Sequence, residues 1–387
     1  MATSPADLWL RIRRVPLGGR PHRGLTLDYA DDLRLFPGPW ARAGLVALAV
    51  LYVALPGFEL MGDPGLRTMV SVGIFAIGAI GLNLLTGYTG QVSLGHAFFV
   101  GVGSYTAGYL GATRGWPLEV YLPAAAVIGF LIGAAIGPFA LRLRGHYLVI
   151  VTLGLLFVGR HVFDNWDSVT GGNRGLRLRD ADMTVGPLDL NDLVLFGREY
   201  SRPAALFWLV WALVAVAALL AKNLVRSRAG RAMQAVRDRD LSAEVIGVHL
   251  ARYKVGAFAW SSAFACVAGV LNGVLIRQVG PDNFGLLLSI TYIAIIIIGG
   301  AGTILGSLLG ALFVVGGREV ISQRSTSSLL DPLLTTGSGD SGWFTVGELN
   351  NVLFGVCIVV FLLLEPRGLV ALWLRVKTWF RSWPFGY

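Results

Sequence analysis

The sequence predicts an all-α, polytopic membrane protein with about ten transmembrane helices. Three observations carry that fold class. The first is composition: 55% of residues are hydrophobic and only 14% charged, with a mean hydropathy of +0.65, against the roughly 25% charged content of a soluble domain. The second is recurrence. Apolar windows near the ~20 residues that a membrane-crossing helix requires return at 43–61, 68–86, 96–113, 120–141, 146–163, 204–221, 255–276, 286–299, 303–318 and 347–364. The third is charge placement. With both termini on the inner side, the segments 1–42, 142–145, 222–254 and 365–387 hold 21 of the 32 Lys and Arg residues, and the outer segments hold 15 of the 23 acids. Inner loops are enriched in Lys and Arg in this way. The formal charge of +9 therefore reflects lipid headgroups and orientation. It does not point to nucleic acid, because the basic residues lie between apolar spans and form no stripe.

Taken in order, 1–42 is a basic N-terminal segment with seven arginines, in which Trp9, Leu10, Ile12 and Val15 lie among Arg11, Arg13 and Arg14. It reads either as a short interfacial helix on anionic headgroups or as a basic tail. The transmembrane domain occupies 43–364. Its most informative stretch is 81–109, GLNLLTGYTGQVSLGHAFFVGVGSYTAGY, which contains no Asp, Glu, Lys or Arg and has a polar centre at 86–96. Uncharged polar groups and glycines are tolerated in lipid where they face other helices or a water-filled cavity. A helix, a glycine-rich break and a second helix are expected. In that reading Asn83, Tyr88, Gln91, Ser93 and His96 offer donors and acceptors to a polar cargo, while Phe98, Phe99 and Tyr105 form an apolar wall. Ser93 is placed to cap the second helix, whose positive end suits a carboxylate. His96 is expected to be neutral and hydrogen-bonded beside Gln91 or Ser93, since the spans offer almost no carboxylate for a proton relay. The alternative is a tight packing seam, which glycine also favours in lipid.

The outer loop 164–203 is long and polar and carries TGGNRGL at 170–176. The inner loop 222–254 is basic, and within it Asp240 is placed to cap a helix over 241–246, with Glu244 in its early turns and Gly247 ending it. Leu241, Val245 and Ile246 then make an apolar knob on a charged base, shaped for a cleft on another subunit. The alternative is an ordinary basic loop on the inner side. Further on, 286–299 and 303–318 are short and joined by glycines at 299–302, as discontinuous helices or one re-entrant hairpin. A weak echo between 93–105 and 302–312 would suit an inverted repeat. The segment 322–346 is rich in Ser, Thr and Gly and reads as a flexible outer loop, and 365–387 is the inner C-terminal tail.

What is missing narrows the chemistry. No GxxxxGK[ST] phosphate loop occurs in the sequence, so the cradle that holds ATP phosphates is absent and any use of ATP must come from a partner. The five histidines are His22, His96, His146, His161 and His249, and no nucleophile triad forms around them. Cys266 and Cys357 fall inside apolar runs, where cysteine behaves as a small hydrophobe. No disulfide framework or metal cluster is read from them. No catalytic residue, cofactor or metal site is predicted.

The stretch at 81–109 resembles the signature of the membrane subunits of branched-chain amino acid ABC importers. The likeness continues through LRLRGHYLVIVTLG at 141–154, TGGNRGL at 170–176, GRAMQAVRDRDLSAEVIGV at 230–248, GGAGTILGSLLGAL at 299–312 and EPRGLV at 365–370, and covers 67–370. The resemblance implies an ABC importer permease in the bacterial inner membrane. Its implied partners are a second homologous permease chain, two ABC ATPases that hydrolyse the ATP, an extracytoplasmic binding protein and membrane lipid. The inner loop, with Ala243, Glu244 and Gly247, is similar to the coupling helix that sits in a groove of the ATPase. Asp240, Leu241, Ala243, Glu244, Val245, Ile246 and Gly247 are assigned to coupling on that ground. Thr170, Gly171, Gly172 and Asn173 become a docking surface for the binding protein, or a lid. Branched-chain amino acids are the implied cargo, with urea, short amides or other amino acids as alternatives. A stand-alone channel or ion-coupled carrier predicts flux from this chain alone. A non-transporting scaffold predicts bound partners and no flux.

Overall fold

The computed structural model describes residues 62–141, 147–178, 183–185, 188–191, 193–195 and 198–319, and 368–382, together with 44, 50–56 and single positions between 352 and 363. The predicted spans 43–61 and 347–364 and the loop 322–346 lie largely or wholly outside these residues. Met1–Ala54 is a unit of its own, helical over 50–54; the elements below belong to Leu55–Tyr387.

The helices are α1 (Asp63–Thr89), α2 (His96–Thr106), α3 (Leu118–Leu141), α4 (Tyr147–Asn165), α5 (Arg202–Arg226), α6 (Arg228–Asp238), α7 (Asp240–Val245), α8 (Leu250–Ile276), α9 (Leu286–Gly299), α10 (Ile304–Ala311) and α11 (Leu369–Ser382). Between α4 and α5 lie β1 (Leu176–Arg177), β2 (Thr184–Val185), β3 (Leu188–Asp189), β4 (Leu193–Leu195) and β5 (Arg198–Tyr200), and β6 (Gln278–Val279) follows α8. They form three two-stranded antiparallel sheets, β1 with β6, β2 with β3 and β4 with β5. The all-α expectation holds for the bundle; the long polar loop adds two short hairpins, β2–β3 and β4–β5, and the strand β1, which pairs with β6 beyond α8.

Six helices among the described residues are long and apolar enough to cross a membrane: α1, α3, α4, α5, α8 and the stretch Pro281–Gly299 that contains α9. The predicted windows 96–113 and 303–318 are helical but not single α-helices. Helix α2 runs into a π-helical segment, Ala107–Thr113, and α10 runs into another, Leu312–Gly316. Both short helices begin after a glycine-rich link and end in a π segment, the kind of irregularity that clusters at functional sites.

Helices α1 and α8 are the inner pair. In the most apolar stretch of each, 78% and 72% of residues are buried, against 28% in α3 and α4. A helix apolar on all sides must be covered all round or face lipid. The outer helices accordingly show large apolar side chains, Val127 and Leu131 on α3, Ile150, Phe157 and Val158 on α4, and Val216 and Leu220 on α5. Lipid, as apolar as these side chains, gives no hydrophobic drive for helix association, so packing and hydrogen bonds supply it.

The seam between α2 and α8 shows both. A Cβ at Gly103 would fall on the Cys266 carbonyl, and one at Gly269 on the Val100 carbonyl. In the space so freed, Ser104 donates to the Gly269 carbonyl and the Cys266 thiol donates to the Phe99 carbonyl at 3.1 Å. Because the obstructing atoms are backbone, neither helix can yield. Gly103→Val is expected to cost at least the ~1–3 kcal/mol of ordinary overpacking, read as a lower midpoint of thermal unfolding for the detergent-solubilised chain. A wild-type midpoint would show that the seam is looser than these contacts require.

Candidate functional site

Helix α1 runs through Thr89, and Gly90 closes it in a left-handed conformation with φ +72°. The link 90–95 follows, and α2 starts at His96. The predicted helix, break and helix are therefore present. The first turn of a helix leaves N–H groups without partners in the helix, and at α2 other helices meet them. The Ala97 N–H donates to the Ser289 hydroxyl of α9 at 3.0 Å, and just before the helix the Leu94 N–H donates to the Thr152 hydroxyl of α4 at 3.0 Å.

Two expectations are corrected here. Gly95 occupies the N-cap of α2 without a side-chain cap, and the Ser93 hydroxyl accepts from the Gly95 N–H at 3.3 Å. Ser93 thus shapes the link and does not cap the helix, since its oxygen is taken one residue early. His96 bonds neither Gln91 nor Ser93. Its Nε2 lies 3.0 Å from the Gly78 carbonyl of α1. A carbonyl only accepts, so Nε2 carries the proton, and the ring meets Tyr292 edge-on at 4.8 Å.

Asn83 ties the break to the α9–α10 link. Its Nδ2 donates to the Thr303 carbonyl at 2.7 Å and the Ser307 hydroxyl at 3.0 Å, and its Oδ1 accepts from the Gly302 N–H at 2.8 Å. The side chain is 1% exposed. Gln91 donates to the Thr89 hydroxyl at 3.1 Å. Asn83, Gln91, Ser93 and His96 are thus all buried and bonded within the chain, and together they fasten the break. Tyr88 is buried beside them. Asn83→Ala removes three hydrogen bonds from a part-buried seam, and each polar group left unmet there costs up to about 1–3 kcal/mol. The expected result is a thermal midpoint below that of the wild type; an unchanged midpoint would overturn the clamp.

Phe98, Phe99 and Tyr105 do form an apolar cluster, completed by Phe163 and Phe284. Phe98 stacks on Phe163 at 5.8 Å, Phe98 meets Phe99 at 5.1 Å, and Tyr105 meets Phe163 at 4.7 Å and Phe284 at 5.9 Å. The buried Tyr105 hydroxyl has no hydrogen-bond partner among the described residues.

At the C-terminal end of α1 stand α6 and α7. The Ser227 hydroxyl caps α6, accepting from the Gly230 N–H at 3.3 Å. The predicted cap of α7 is displaced by one residue. Arg239 holds the N-cap position with no side-chain cap, while the Asp240 carboxylate pairs with Lys254 at 2.6 Å. The end of α7 is as predicted. Gly247 has φ +87°, which a side chain with a Cβ rarely adopts. The Val248 N–H reaches the Ala243 carbonyl at 2.9 Å and the Gly247 N–H reaches the Glu244 carbonyl at 3.0 Å, the paired closure of a Schellman motif. Ala243 packs inward at 1% exposure, while Leu241, Val245 and Ile246 are 71%, 87% and 73% exposed. The three apolar side chains expected to form the knob are thus exposed.

Arg237 joins the knob's base to the break. Its Nη1 donates to the Gly87 carbonyl at 3.0 Å, and its Nε and Nη2 hold Asp238 at 3.2 and 3.1 Å. A cation here also suits the negative end of the α1 dipole. Nη1 lies so near Gly302 that a Cβ there would stand 3.1 Å away. A cavity of about 260 Å³ lies between link and short helices, lined in part by Gln91, Leu148, Arg237, Asp240 and Lys254. Sequence reasoning missed Arg237, Thr152 and Ser289, because an arginine in a basic loop or a hydroxyl on another helix carries no local mark of the distant backbone it meets.

At the opposite end, TGGNRGL folds as a compact turn. The Thr170 hydroxyl donates toward the Phe163 and Trp166 carbonyls at 2.7 and 2.8 Å and accepts from the Gly172 N–H at 3.2 Å. Thr170 and Gly172 are buried, Gly171 is half-buried and Asn173 is exposed. Strand β1 then pairs with β6, tying this turn to the end of α8.

Known proteins provide a comparison. The family described as "Branched-chain amino acid transport system / permease component" matches residues 66–362. The chain is 30% identical to the high-affinity branched-chain amino acid transport system permease protein LivM of Escherichia coli (strain K12), over 74% of this chain and 70% of that one. It is 25% identical to LivH of the same organism, over 76% and 91%. It is 31% identical to the autoinducer 2 import system permease protein LsrC of Escherichia coli O9:H4 (strain HS), over 70% and 76%. No solved structure matches. With its apolar bundle, its broken helices and a family match over most of its length, this multi-pass membrane protein belongs to the permease-component family of branched-chain amino acid transport systems.

Proposed function

We propose that this chain is the membrane permease subunit of an ATP-driven importer of branched-chain amino acids, set in a bacterial inner membrane with the α7 end in the cytosol. It pairs with a homologous permease, engages two ATPase subunits through the knob of α7, and receives cargo from an extracytoplasmic binding protein near the Thr170–Asn173 turn. One observation carries the reading: two apolar side chains of a six-residue helix, Leu241 and Val245, and that of its C-cap, Ile246, stand exposed beside a base that Arg237 bonds to the last turn of α1, just before the break. An isolated helix of that length is not stable in water, so its rigid attachment serves contact with something else. The fastened polar residues then act as a closed gate, opened when α6 pulls on Gly87 and the α9–α10 link.

The test is reconstitution of this chain with the second permease, the ATPases and the binding protein in vesicles. Uptake of leucine, isoleucine or valine that requires both ATP and the binding protein supports the reading. Uptake by this chain alone would make it a channel or carrier, and ATP-dependent uptake of another cargo only would leave the machine but change the substrate. The relatives' names include autoinducer 2 as well as branched-chain amino acids, so the cargo panel includes both.

A further inference from the structure

Among the described residues, helix α11 lies against the bundle through its beginning. Gly368 has φ +78° and lies against the α9–α10 link, where a Cβ would stand 2.6 Å from the Gly300 nitrogen and 2.9 Å from the Ile298 carbonyl. Val370 is buried beside it at 8% exposure. From residue 372 to 379 every position is exposed. Trp373, Val376 and Trp379 have 54%, 48% and 58% of their surface open, and Leu372 has 36%.

These four share one face. At about 100° per residue, Leu372, Trp373, Val376 and Trp379 fall in one apolar sector, and Arg375 and Lys377 border it on either side. Leu374 lies outside that sector. No Asp or Glu follows Glu365 in the sequence, while Arg367, Arg375, Lys377 and Arg381 do. An apolar face with interfacial tryptophans, edged by cations, is the form of a helix that lies in the plane of a headgroup layer.

We propose that α11 lies on the membrane surface and binds anionic phospholipid, with Leu372, Trp373, Val376 and Trp379 dipped below the headgroups and Arg375 and Lys377 among the phosphates. Because α11 begins on Gly300, the lipid surface then fixes the link that Asn83 clamps through Gly302 and Thr303. The bilayer itself becomes one support of the gate.

The experiment places a nitroxide on the full-length chain at Val376→Cys, and separately at Thr378→Cys, in vesicles of phosphatidylcholine alone or with a quarter phosphatidylglycerol. Collision with oxygen reports the apolar phase, and collision with a water-soluble nickel chelate reports the aqueous phase. With phosphatidylglycerol, the label at 376 is expected to favour oxygen and the label at 378 the chelate. High salt or Arg375→Gln with Lys377→Gln is expected to return 376 to water, with the dipped population falling about fivefold per cation removed. The salt titration needs no further variant, so misfolding of the double variant cannot hide the answer. A label at 376 that stays in water in both lipids, or is shielded only when ATPase subunits are added, overturns the proposal.

Discussion

Val245→Asp is expected to abolish ATP-driven uptake while leaving the chain folded and inserted. Val245 is the most exposed of the three knob residues, at 87%, so in the free subunit the carboxylate stays in water and stability changes by no more than about 0.5 kcal/mol. Everything else the substitution does, it does on binding. An apolar anchor buried at the centre of an interface is typically worth about 2 kcal/mol or more, and an unpaired charge in its place adds a desolvation cost of about 3–5 kcal/mol. Affinity for the ATPase should fall by at least about a hundredfold, measured by co-purification and by the ATP dependence of uptake. Val245→Leu, which keeps the apolar contact, should retain both. Wild-type uptake in the aspartate variant would mean that this knob is not the contact.

Arg237→Ala should separate docking from transmission. Its guanidinium belongs to α6 and reaches Gly87, not the exposed side of α7, so ATPase binding should persist. Loss of a charge-assisted hydrogen bond costs about 1.5–3 kcal/mol, or roughly 10- to 150-fold in an equilibrium that the bond controls. The observable is the number of cargo molecules taken up per ATP hydrolysed, which should fall while hydrolysis continues. Arg237→Lys should recover only part of that ratio, because a single ammonium cannot hold Asp238 and the Gly87 carbonyl as the flat guanidinium does. An unchanged ratio in the alanine variant would show that the lever acts by another route. Together with Val245→Asp, the two outcomes distinguish a part that binds the motor from a part that carries its stroke.

Much of the site was legible before any coordinates. The knob followed from the run of Leu241, Val245 and Ile246 between charges, and its end from Gly247, because capping and left-handed closure are written within a few residues. The break followed from glycines and uncharged polar groups between apolar runs. Less legible was what those polar groups do. Asn83 and Ser307 are 224 positions apart, and Ala97 and Ser289 are 192 apart. Nothing local marks such pairs. Ser93 as a cap and Asp240 as a cap were each plausible from spacing, yet both went elsewhere: Ser93 bonded within the link, and Asp240 found the ammonium of Lys254.

By itself, the chain's pattern of apolar windows, with cations gathered in the loops between them, determined a helical membrane bundle with a basic loop and no nucleotide cradle. These are properties of short stretches, fixed by the cost of placing charge and unbonded backbone in lipid. Only the tertiary structure decided that the polar groups of the centre are hydrogen-bonded within the chain and that Arg237, next to the projecting helix, reaches Gly87. The reason is geometric: a hydrogen bond depends on a few tenths of an ångström between groups far apart in sequence, and only the packed helices set that distance.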